Sequence, residues 1–97
     1  MIRKLLLIIS ITLPLTAHAD LETDRTVGNC VGLLFGMKKP SQAKHAIAYA
    51  DNQDRALNFA LAWMDGIKKN DANKNRVESL VFSATKDCRK IGIRASD

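Results

Sequence analysis

Cys30 and Cys88 are the only two cysteines in the chain, and they constrain its fold more than any other feature. Two thiols allow a single intramolecular pairing, and the amino terminus points to an oxidising compartment in which that pairing forms. The chain opens MIRKLLLIISITLPLTAHA. Arg3 and Lys4 make a positive n-region, Leu5 to Leu15 an apolar run, and Ala17-His18-Ala19 a small-residue cleavage pattern. This reads as a secretory signal peptide over residues 1–19, cut before Asp20. The apolar run is too short for a membrane anchor. The expectation is a periplasmic protein without stable membrane insertion, with one domain over residues 20–97.

Removing 19 residues from 97 leaves a domain of 78. At that size a hydrophobic core alone supplies only a few kcal/mol. A Cys30–Cys88 disulfide closes a loop of roughly 58 residues and adds about 4 kcal/mol on the chain-entropy account. The alternative is two free buried thiols. A metal site is disfavoured, because His45 is the only histidine after the leader and no CxxC occurs. The 15 basic residues less Arg3 and Lys4 leave 13 against 10 acidic, a net +3. These charges are interspersed, which argues for a solvated surface and against nucleic-acid binding.

The apolar spacing is helical throughout, so the fold class is all-α: a small domain of three to four helices with one disulfide. The first helix is expected to begin near Leu21–Asp24, to carry Val27, Cys30 or Val31, Leu34 and Met37, and to stop before Pro40. Ser41 is placed to cap the next segment. Residues 42–69 form one long helix or two, with Asp51 or Asn52 able to cap the second piece. "ALNFALAWM", residues 56–64, has only Asn58 as a polar residue. A helix apolar on nearly every side is expected to be buried, so Phe59, Leu61, Trp63 and Met64 read as packing residues. "KKNDANKN", residues 68–75, is a loop. Its Asp71-x-Asn73-x-Asn75 resembles the start of a calcium loop, but Arg76 and Phe82 stand where glycine and glutamate are needed. Asn75 and Glu78 resemble a capping box. The final helix runs from about Arg76 to Lys90, with Val77, Leu80, Val81, Ala84, Cys88 and Ile91 on one stripe. Cys30 lies on or beside the stripe of the first helix, so a disulfide would tie the first helix to the last. The tail GIRASD is expected to fray.

Gly28, Gly32 and Gly36 repeat every four residues and form a face without side chains. Each costs a helix about 1 kcal/mol relative to alanine. A lipid-embedded dimer needs about 20 apolar residues, and only residues 26–37 lie between Arg25 and Lys38. The glycines therefore serve either to admit a neighbouring small-residue helix, such as one bearing Ala43–Ala46–Ala50 or Ala56–Ala60, or to loosen this helix so that it can open.

No catalytic set is evident. His45 sits between Lys44 and Ala46 on an exposed-looking helix, and Asp51, Asp54 and Asp65 read as caps or surface charges. Asp65 is within one turn of Lys68 and Lys69. No enzyme activity and no cofactor are expected.

The leader, the helix-one cysteine, "AWMDGIKKNDAN" at residues 62–73 and "LVFSATKDCRK" at residues 80–90 together resemble the small periplasmic proteins grouped around the acid-stress chaperones HdeA and HdeB. The likeness spans most of residues 27–90. It rests on Cys30, Cys88 and an aromatic-x-x-glycine segment matched by Trp63 and Gly66. It implies a holdase that opens at low pH and offers apolar side chains, with Leu34, Phe35, Phe59, Leu61, Trp63 and Met64 the candidates, to misfolded clients. The second expectation is an immunity protein or enzyme inhibitor that presents "KKNDANKN" or "KKPSQAK" to one partner. A third is an envelope stress protein with no single partner. A homodimer is compatible with each.

Overall fold

The structure is a computed structural model that describes residues 21–94. The leader assigned to residues 1–19, its cleavage point before Asp20 and the last three residues of the tail lie outside the described residues. The described chain is all-α. Helix α1 covers residues 21–36, followed by α2 (Pro40–Ile47), α3 (Gln53–Lys69) and α4 (Lys74–Lys90). Residues 42–69 thus hold two helices.

Local chemistry sets each boundary. α1 ends in a Schellman turn: Lys38 takes a left-handed φ of 60°, its amide donates to the Phe35 carbonyl, and the Lys39 amide donates to the Leu34 carbonyl. Pro40 then opens α2 in the first-turn position where its missing N–H costs nothing. Ser41 does not cap α2, because it already lies inside the helix, and Lys39 occupies the cap position with no side-chain bond. Asn52 caps α3, its Oδ1 accepting from the Arg55 amide at 3.0 Å. Asn73 caps α4 by accepting from the Arg76 amide at 3.1 Å. The expected Asn75–Glu78 box is therefore displaced: α4 starts two residues earlier, and Asn75 is inside it. A second Schellman turn closes α4, with Gly92 at φ 80°, its amide on the Arg89 carbonyl and the Ile93 amide on the Cys88 carbonyl. This turn folds Ile93 into the core, so the tail is ordered at least as far as Arg94 instead of fraying from Gly92.

α1 is the central element. It contributes the bulky core residues Val27, Val31, Leu33 and Leu34, whereas the other helices contribute mainly alanines: Ala43 and Ala46, Ala56 and Ala60, and Ala84. Small residues on the outer helices let three backbones close around one. α3 lies on the glycine face of α1 and runs in the same direction. Gly28 faces Ala56, Phe59 and Ala60, and Gly32 faces Ala60 and Trp63. A Cβ on Gly28 would fall 2.5 Å from the Ala56 carbonyl oxygen, so glycine is required for this approach. Gly36 does not take part, since nothing lies within 4 Å of the same position there. α4 runs antiparallel to α1: Cys30 meets Cys88, while Glu22 and Thr26 share a cleft with Lys90 and Ile91. α3 and α4 pack on α1 and scarcely on each other.

Candidate functional site

Three features stand out on this frame: a staple, a buried carboxylate clamp and an uncovered apolar surface. The staple is the Cys30–Cys88 disulfide, with Cα atoms 4.8 Å apart and both residues fully buried. Beside it, the Asn29 Nδ2–H donates to Asp87 Oδ2 at 3.0 Å, and Lys90 Nζ lies 3.6 Å from Asp87 Oδ1. Asp87 is otherwise buried, so its charge has partners on both α1 and α4.

The clamp is Asp24. Its side chain has no exposed surface, although it is a carboxylate on the first described turns of α1. Asp24 Oδ1 accepts from the amides of Asp51 at 2.9 Å and Asn52 at 3.1 Å, and Arg55 Nε–H donates to Oδ2 at 2.6 Å. The carboxylate thus sits on the amino terminus of α3, where the helix dipole also favours it. Burial by itself would raise its pKa. The amides of Asn52 and Asp51 and the Arg55 guanidinium more than offset this and hold the carboxyl below its ordinary value. The sequence marks Asp24 only as a residue near the start of its own helix. Its role in joining α1 to α3 is tertiary, and no local pattern signals it.

The uncovered surface is where the sequence reading departs furthest from the fold. Within residues 56–64 only Ala56 and Ala60 are buried; Phe59 and Trp63 are half-buried, and Leu57, Leu61 and Met64 are exposed, Leu61 at 63%. The stretch expected to be buried is largely surface, because α1 already fills the interior and α3 needs only alanines where the two helices touch. Leu34 is fully buried, while Phe35 and Met37 are exposed at the end of α1. On α4, Phe82 is 63% exposed. For a domain of this size, so many exposed large apolar side chains are more than isolated surface residues need explain.

The remaining candidates are plain. His45 is exposed and its ring meets Tyr49 edge-on at 5.8 Å between centroids. Asp65 pairs with Lys69 at 2.9 Å, one turn away on α3. The turn at residues 70–73 is hydrogen-bonded internally: the Asn70 side chain donates to the Gly66 carbonyl at 2.7 Å and the Asn73 amide to the Asn70 carbonyl at 2.8 Å. Among the described residues, no group of three or more His, Cys, Asp or Glu could hold a metal ion, and no helix is long and apolar enough to cross a membrane.

The fold and site define an all-α domain of four described helices closed by one disulfide. No protein-family model, curated protein or solved structure matches the chain.

Proposed function

We propose that the protein is an exported, non-enzymatic holdase of the periplasm, a chaperone-like partner for proteins that misfold in acid. The observation that carries this reading is the buried Asp24 clamp in a domain that already leaves Leu57, Leu61, Met64 and Phe82 exposed. A carboxyl held below its ordinary value stabilises the fold above the pKa it has in the unfolded chain, and that contribution is lost as pH falls through the lower, folded value. The lost stability therefore appears below about pH 4. Opening the seam between α1 and α3 would add Phe59 and Trp63, which face Gly28 and Gly32 across it, to the surface already exposed. The Cys30–Cys88 bond would keep α1 on α4 during that opening, so the chain could release α3 without unravelling. The resemblance to the HdeA and HdeB group points the same way.

The test is suppression of client aggregation. An acid-sensitive client is brought from neutral pH to pH 2 with and without the disulfide-intact protein, and light scattering is followed. Suppression at pH 2 and little at pH 7 is expected. Unchanged scattering at pH 2 would overturn the reading.

The ordered turn at residues 70–73 favours the second reading, an immunity protein or enzyme inhibitor. It presents Lys69, Lys74 and Asn75 around a shallow depression where α3 turns into α4. Recovery of one stoichiometric envelope partner, lost when this turn is replaced, would favour that reading over the holdase.

A further inference from the structure

The flank of α4 carries an open groove, and we infer that it seats the same flank of a second copy of this chain. The groove has a volume of about 350 Å³ and is lined by Val77, Val81 and Thr85 on one side and Glu78, Phe82 and Lys86 on the other, with Arg89 beyond them. Both rows have a four-residue spacing. They are adjacent i±4 ridges of one helix, and the channel between such ridges is what a second helix fills when two helices pack at about −50°. Among the described residues no helix fills it, and Phe82 remains 63% exposed.

The charges select the occupant. Glu78 precedes Phe82 by four residues and Lys86 follows it by four. Two such helices crossing antiparallel about Phe82 bring Glu78 of each copy opposite Lys86 of the other, with Arg89 one turn further on. The contact is self-complementary, as a two-fold interface must be. Lys86 and Arg89 form no ion pair among the described residues, and the Lys86 ammonium lies over the Phe82 ring at 4.6 Å, beside the proposed axis. α4 as a whole is cationic, with Lys74, Arg76, Lys86, Arg89 and Lys90 against Glu78 and Asp87. At a −50° crossing the helices diverge beyond the central turns, so Lys74 and Lys90 stay apart while the opposite charges meet. An anionic bilayer fits the groove less well: the surface is concave, and Glu78 lies within it.

One helix crossing buries less than a standard interface, so the dimer is weak and depends on concentration. Sedimentation equilibrium of the disulfide-intact mature protein from micromolar to millimolar concentration tests it, with the fold of each variant checked by circular dichroism. The wild type is expected to dimerise. Phe82→Ser and Glu78→Lys are each expected to weaken association by at least about tenfold, and the double swap Glu78→Lys/Lys86→Glu to restore it. A wild type that stays monomeric overturns the inference. So does a Phe82→Ser protein that dimerises normally, a double swap that fails to recover, or a monomer that instead binds phosphatidylglycerol vesicles. These outcomes leave the aggregation assay untouched, so the holdase reading stands or falls separately.

Discussion

Replacing Asp24 with asparagine removes one charge from the seam between α1 and α3 and leaves the shape almost unchanged. The amide oxygen can still accept from the Asp51 and Asn52 amides, which reach Oδ1 at 2.9 and 3.1 Å. The amide nitrogen then takes the place of Oδ2, so a donor faces the Arg55 Nε–H that now donates at 2.6 Å. Losing a charge-assisted hydrogen bond costs about 1.5–3 kcal/mol. Arg55 is 39% exposed, so its freed guanidinium turns to water and is not stranded, which keeps the cost near the lower half of that range. The loss of charge at the α3 amino terminus adds about 0.5 kcal/mol. A total of about 2 kcal/mol is expected in urea unfolding at pH 7 with the disulfide intact. The difference is expected to shrink as pH falls below about 4 and to nearly vanish once the wild-type carboxyl is protonated too. A cost near zero at pH 7, or one that is the same at pH 7 and at pH 2, would refute the role given to this carboxylate.

Gly28→Ala is expected to destabilise by about 1–3 kcal/mol, because the new methyl meets the Ala56 carbonyl oxygen and α3 must move away; Gly36→Ala, which meets nothing within 4 Å, is expected to stabilise by about 0.5–1 kcal/mol. Urea midpoints of the two variants should therefore move in opposite directions. Lys38→Gly relieves a left-handed residue in the α1 cap and is expected to raise stability by about 0.5–1 kcal/mol, read in the same way. Cys30 and Cys88 have no exposed surface, so reduction by dithiothreitol should require opening and accelerate in urea; once reduced, the domain should lose about 4 kcal/mol. Leu61→Ser, at a position 63% exposed, is expected to change stability by less than about 0.5 kcal/mol while lowering client suppression at pH 2.

The helices and the staple were legible because they depend on local rules. Period and Pro40 place α1 and α4 with Cys30 and Cys88 on their apolar stripes, and two cysteines allow only one pairing. Asp51 and Asn52 were both legible as caps because the polar stretch of residues 51–55 interrupts the apolar pattern ahead of Ala56; Asn52 is the one used. Asn73 was obscured by Asn75, which offers the same chemistry two residues later; the hydrogen-bonded turn through Asn70 decides between them. Composition misled at residues 56–64, because apolar content does not say which face is needed. α1 brings valines and leucines to the centre, so α3 contributes two alanines there and turns Leu57, Leu61 and Met64 outward. Gly36 failed as a packing residue because α1 ends at that point, although the spacing continues through it. Asp24 was out of reach of any pattern, since its partners at residues 51, 52 and 55 belong to another helix.

The central claim is that acid loosens this fold and enlarges its apolar surface while the disulfide holds. An environment-sensitive apolar dye, read together with far-ultraviolet circular dichroism as the oxidised protein is titrated from pH 7 to pH 2, tests it most directly. Dye fluorescence is expected to stay level to about pH 4 and then rise reversibly, with helicity largely retained. Fluorescence that stays level to pH 2 would contradict the account.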